Sequence, residues 1–236
     1  MNTLRALWAA AVVGAALAVA APAGGANECD GLMVCIPVAG PWVVVPASTG
    51  AQRERVEFQL TCPRGYIVGG TDARLSNRAI DVGFIGTTGS PVNPGITTSR
   101  SAVFLGTYVG RAGNVAPTFK PFIGCMPMAG GGSRVPTSVS QARPGRPVTR
   151  RAKTVRVRPG TTTVIQRCTA GERLVGGTHA FGFETRTPPS AGLVGSVSGL
   201  QRISGRSVAV RVSGDAELAG VRAVVQVQAL CARGSA

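Results

Sequence analysis

The sequence predicts an all-β fold, laid out as two tandem, disulfide-bridged, sandwich-like domains that arise from an internal duplication. Three observations carry that expectation. Short Val-rich runs recur along the chain, each bounded by Gly, Pro, Ser or Thr, which is the pattern of strands separated by turns. One phrase is written twice, "CPRGYIVGGTDA" from Cys62 and "CTAGERLVGGTHA" from Cys168. Cys62 precedes Cys125 by 63 residues, and Cys168 precedes Cys231 by the same 63.

Residues 1–26 read as a secretory signal peptide. Arg5 gives a positive start, the run "ALWAAAVVGAALAVA" is wholly apolar, and small residues follow in "APAGGAN". The run is shorter than the roughly 20 residues of a membrane-spanning helix. Cleavage is expected after Ala20, Ala23 or Ala26, and Pro22 disfavours the first. "GANE" before Cys29 is not a lipid-attachment signal, and no second run of spanning length follows. The expected compartment is extracellular, with or without association to the cell wall.

Residues 27–130 form the expected first domain, with strands over Trp42–Val45, Arg55–Cys62 and Ala102–Val109. Residues 131–147 read as a basic Pro/Gly/Ser linker, because "SVSQARPGRPVTRRAK" mixes turn residues with charge. Residues 148–236 form the expected second domain. There "TVRVRPGTTTVIQRC" reads as two strands around a Pro-Gly turn, a hairpin. In "VRAVVQVQAL", Val225, Val227 and Ala229 alternate with Gln226 and Gln228, which predicts one buried face and one wet face. No segment after the signal peptide shows a helical apolar stripe.

The repeated phrase has a structural explanation. Cysteine ends one strand, Gly65 or Gly171 turns the chain with a positive φ, and an apolar pair opens the next strand. Gly69-Gly70 and Gly176-Gly177 then permit a bulge or a close backbone approach. Aligned by the phrase, Asp72 in the first copy matches His179 in the second. No Gly-Lys-Ser/Thr follows, so this is not a phosphate loop.

All six cysteines lie after the signal peptide, and an even count behind an export signal reads as disulfides. The equal spacing pairs Cys62 with Cys125 and Cys168 with Cys231, leaving Cys29 with Cys35. A rival framework stays open: "CIPVAG" at Cys35 echoes "CMPMAG" at Cys125. It would join Cys35 to Cys62, Cys125 to Cys168 and Cys29 to Cys231.

A Cys-x-x-Gly turn, an apolar pair, Gly-Gly, and a closing cysteine in a Val-rich last strand occur in both copies, with Thr169 in place of the first copy's proline. This pattern resembles uncharacterised exported β-domain proteins of high-GC Gram-positive bacteria. The resemblance implies a fold and a compartment, and brings no activity or site residues.

Charge narrows the function classes. Without Arg5 the chain carries 24 basic and 10 acidic side chains, a net of +14, and Lys120 and Lys153 are its only lysines. Such a balance favours anionic neighbours. The acid-free run of Arg134, Arg143, Arg146, Arg150, Arg151, Lys153, Arg156 and Arg158 supplies eight of those charges. It is the candidate contact with anionic cell-wall polymer or membrane surface. Specific nucleic-acid recognition is not expected, because the second half offers only Phe181 and Phe183 as stacking platforms. Trp42, Tyr66 and Tyr108 in the first half could all be core.

His179 is the single histidine and the best catalytic candidate, yet no Gly-x-Ser-x-Gly elbow accompanies it; "GSVSG" at Gly195 has Val197 in the central place. We read it as a surface histidine at a strand edge. The acids Glu54, Glu57, Glu172, Glu184, Asp215 and Glu217 show no hydrolytic pair. One histidine with bridged cysteines offers no zinc ligand set, and no cofactor is expected. The sequence therefore predicts a secreted, non-enzymatic, envelope-associated binding or structural protein. The alternatives are a secreted hydrolase around His179 and an inhibitor of extracellular proteases.

Overall fold

Among the described residues, thirteen strands and almost no helix follow from β-branched and aromatic residues alternating between faces. The computed structural model describes residues 27–32, 34–47, 53–86, 100–111, 116–128 and 148–234. The first half contains β1 (Ile36–Ala39), β2 (Trp42–Val44), β3 (Arg55–Thr61), β4 (Tyr66–Leu75), β5 (Ile80–Ile85), β6 (Ser101–Tyr108) and β7 (Thr118–Pro127). The second contains β8 (Val148–Val157), β9 (Gly160–Arg167), β10 (Glu172–Phe183), the short α1 (Ala191–Gly195), β11 (Val197–Ser204), β12 (Ser207–Gly214), a 3-10 turn at Ala216–Leu218, and β13 (Ala223–Arg233). The expected linker, 131–147, lies outside the described residues.

Every pairing is antiparallel, and the scheme of the first half recurs in the second. In the first, β4 lies on one edge of β7 while β1 and β2 share the other, and β3-β6-β5 form a separate sheet. In the second, β10 and β8 flank β13, and β9-β12-β11 form the separate sheet. Strand β8 thus does alone what β1 and β2 do together. Each small sheet packs its inner face on the large one. Val208, Val210 and Val212 of β12 are fully buried against β10 and β13, as Ala102, Phe104 and Tyr108 of β6 are against β7. The bridges Cys62–Cys125 and Cys168–Cys231 pin the two layers of each half together, and Cys29–Cys35 closes a short N-terminal loop.

The halves share one seven-stranded sheet. Val43 of β2 is registered with Phe119 of β7 on one side and with Gly182 of β10 on the other. Ala180 of β10 is part of the first half's core, and Val44 of β2 packs on the second's.

Three expectations about local structure are corrected. Strands β8 and β9 are not a hairpin: β8 pairs with β13, whereas β9 pairs with β12 in the other sheet. The turn at Arg158-Pro159 carries the chain across the core, so Val157 and Val164 meet as side chains in the second core. Gln226 and Gln228 do not face water, being 3% and 0% exposed. They meet the edge of β3 that β6 leaves free. Gln226 Oε1 accepts from the Gln59 backbone N–H at 2.7 Å and its Nε2 donates to the Gln59 carbonyl at 3.0 Å. Gln228 Nε2 donates to the Glu57 carbonyl at 3.0 Å. Two side-chain amides stand where a neighbouring strand would pair, so the buried amides find partners and three backbone groups of the β3 edge are satisfied.

The third correction concerns the repeated phrase. Gly65 and Gly171 do turn with φ of 83° and 77°. The bulge falls on Gly69 in β4, within the expected pair, but on Val175 in β10, one residue before the pair. The Gly-Gly-Thr triplets are therefore offset by one residue relative to the ladders. Asp72 is registered with Phe122, and His179 with Val227, whose first-half counterpart is Pro121, the partner of Ala73. A one-residue slip turns a side chain to the opposite face. His179 matches Ala73, and Asp72 points the other way.

Candidate anion-binding face

The acid-free run of the sequence is divided by the fold. Arg134, Arg143 and Arg146 lie outside the described residues. Arg150 and Arg151 are not free surface charges. Arg150 Nη1 donates to both Glu57 Oε2 and Gln228 Oε1, joining the halves. Arg151 grips Glu172 through two N–H groups, at 2.9 and 3.1 Å, and reaches Thr169 Oγ1. Glu172 also accepts from the Thr169 backbone N–H at 2.8 Å. With Arg151 as the main cause and Thr169 second, its carboxyl is held down to about 2. Lys153, Arg156 and Arg158 are exposed. Lys153 and Arg156, three residues apart on one strand, point to opposite faces of β8. From Val148 onward the run belongs to a packed edge strand, and its described charges do not form one patch.

A different surface gathers positive charge. Because Val208, Val210 and Val212 of β12 point inward, Ser207, Ala209, Arg211 and Ser213 point out. Register extends that outer face. Arg211 lies between Thr163 of β9 and Leu200 of β11, Ala209 between Ile165 and Arg202, and Ser207 between Arg167 and Ser204. Ser213 lies between Thr161 and Ser198. The face thus carries Arg167, Arg202 and Arg211 among serines, threonines and two exposed aliphatics, with no carboxylate. All three arginines are exposed, and none has an ion-pair or hydrogen-bond partner among the described residues. Arg202 and Arg211 are diagonal neighbours, about 7–8 Å apart along the ladder. A planar, preorganised array of unpaired guanidiniums and hydroxyls can bind phosphate or carboxylate groups on an extended polyanion. The corresponding face of the first half is mixed: Arg55 lies 3.6 Å from Glu57, and Asp81 is opposite Thr107.

Sequence reasoning missed this face because its arginines come from three strands far apart in the chain. One signal was present. The alternation in "SVAVRVSG" already puts Arg211 opposite to the three buried valines.

His179 is not a surface histidine. It is half-buried between the layers, with Nδ1 2.9 Å from Gln201 Oε1 and its ring edge-on to Phe181. Gln201 Nε2 donates in turn to the Gly177 carbonyl at 2.9 Å. The partner of the imidazole is thus an amide and the arrangement holds two layers together. A groove of about 440 Å³ opens in the first half, with Ala73, Leu75, Ile80, Val82 and Phe84 among its walls and Asp72 and Asp81 at its margin. A second, of about 330 Å³, follows the junction of the halves. The one three-membered donor cluster among the described residues is Cys168, Glu172 and Cys231, and both sulfurs are committed to a disulfide. No helix among the described residues is long and apolar enough to cross a membrane. Searches against family models, curated proteins and solved structures found no match to this chain.

Proposed function

We propose that this chain is a secreted, non-enzymatic protein that binds or decorates the cell envelope, held to anionic wall polymer or membrane surface by the outer face of β9-β12-β11. The observation that carries the reading is the acid-free sheet face with three unpaired guanidiniums. The exposed Lys153, Arg156 and Arg158 add to the same field, and the net charge of the chain steers it toward anionic surfaces. The face holds no aromatic side chain, so base stacking is not its means of attachment. The recurring strand scheme supports descent of the two halves from one ancestral unit. Neither alternative, hydrolase or protease inhibitor, gains a supporting observation among the described residues.

The test is a variant with Arg167→Gln, Arg202→Gln and Arg211→Gln. A basic residue at an anionic surface contributes about 1 kcal/mol. The triple variant should therefore bind anionic vesicles or isolated cell walls on the order of a hundredfold more weakly at low salt, with an unchanged melting temperature. Retention equal to the parent's would sink the assignment.

A further inference from the structure

The fold contains a prepared seat for a new chain terminus. The turn at residues 27–32 lies on the face of β4 and β7 turned away from the first half's small sheet. A Cβ at Gly70 or at Gly124, which are registered with each other, would overlap the Glu28 carbonyl, and one at Gly69 would press on Leu32 and Met126. Only glycine leaves room there. The Cys29–Cys35 bridge ties the same turn to the start of β1. At its beginning the Asn27 backbone nitrogen donates to Asp72 Oδ2 at 2.7 Å, and Asp72 Oδ1 accepts from the Ala73 N–H. Glu28, next in the chain, is 7% exposed, and its Oε2 has no hydrogen-bond partner among the described residues.

Asn27 is also the first residue after Gly24-Gly25-Ala26, one of the small-residue patterns at which an export peptidase cuts. We infer that the chain is cleaved between Ala26 and Asn27, and that the α-ammonium so created is captured by Asp72. Water adds across the amide under the peptidase. Its oxygen goes to the Ala26 carbonyl carbon, leaving a carboxylate on the released peptide, and the Asn27 nitrogen becomes a free amine. With an ordinary pKa near 8 that amine is protonated at neutral pH. The bond to Asp72 changes from an amide donating to a carboxylate into an ion pair, the stronger class of contact. A positive charge beside Glu28 and Asp30 also relieves a turn that otherwise carries two carboxylates and no base. Processing thus supplies a charge that the seat lacks before cleavage.

The inference concerns processing and stands independently of the envelope reading. Four chains test it: the exported protein, a refolded chain beginning at Gly24, and each of these with Asp72→Asn. N-terminal sequencing and intact mass of the exported protein should give Asn27 as the first residue; Gly24 or Ala21 there overturns the cleavage site. The chain beginning at Asn27 should melt about 2–4 °C above the one beginning at Gly24. That difference should vanish with Asp72→Asn, the test for coupling between two groups. A difference that survives the substitution overturns the capture. If the Asp72→Asn chains do not fold, acylation of the α-amine at neutral pH decides instead. It should be slower in the parent starting at Asn27 than in the one starting at Gly24, and equal rates overturn the ion pair.

Discussion

Where β10 faces β11, His179 and Gln201 meet across the layers and Gln201 goes on to the Gly177 carbonyl. At the same ladder positions where β4 faces β5, the first half has Ala73 and Phe84. A hydrogen-bonded pair closes one flank. In the other, a small residue and an aromatic leave a groove of about 440 Å³, with Leu75 and Phe84 at 43% and 47% exposure. The contrast extends to the clasp beside the disulfides. Arg151 and Glu172 form an ion pair in the second half, and their counterparts in the first are Val38 and Tyr66, packed on the core. One strand scheme accepts a polar or an apolar solution at each site, because antiparallel register fixes which positions face each other and leaves their chemistry open. The second half has spent its polar pairs on closure and keeps its outer face free for charge.

The disulfides test whether the halves are energetically equivalent. Both close loops with a separation of 63 residues, so loop-closure entropy predicts a loss of about 4 kcal/mol for either Cys→Ala pair. Denaturant unfolding of Cys62→Ala/Cys125→Ala and of Cys168→Ala/Cys231→Ala measures both. Equal losses fit two equivalent units. A large excess for one identifies the half on which the shared sheet depends.

A smaller effect separates the flanks. His179→Ala with Gln201→Phe gives the second half the residues of the first and should cost about 1–2 kcal/mol while raising the binding of an apolar dye. Ala73→His with Phe84→Gln should lower dye binding. Unchanged stability in the first double variant would show that the His179–Gln201 contact contributes nothing to closure.

The smallest effect is acid sensitivity confined to the second half. Glu172 is held below its unfolded value, so the stability it adds is present above about pH 4.5 and is lost as pH falls toward about 2. The parent should lose more stability than Glu172→Gln over that window, and the two curves should run parallel above it. Hydrogen exchange should place the loss around β8 and the turn at Thr169. Parallel curves throughout would mean that the clasp is not formed in solution.

Strand identity was legible where short Val-rich runs mark the strand, as in β2, β8, β12 and β13, and it was not legible in β7, which has no valine. The bridges were legible because the cysteine spacings repeat. What the sequence hid is relational. The offset of Asp72 from His179 depends on which residue bulges, and the phrase "VGGT" reads the same either way. The alternation of Gln226 and Gln228 marks a second face correctly, yet nothing local says that another strand's edge covers it. The arginine face could be assembled only once three strands were in register. Arg150 and Arg151 looked like linker charge because their partners Glu57 and Glu172 lie elsewhere in the chain.

The amide contacts on β3 also constrain the order in which the molecule can be completed. Gln59 and Gln226 are 167 residues apart, and Glu57 and Gln228 are separated by 171. A ribosome delivers β3 early and the 11-residue β13 last. Until that final strand arrives, β3 has bare backbone donors and acceptors along one edge, the surface on which chains stick to one another. Contacts this distant in sequence also form slowly. A first half that folded before β13 arrived would pass through a period in which it presents that edge with nothing to cover it. A chaperone that recognises unpaired strands would have its work during that interval, and a chain stopped before Ala223 would never leave it.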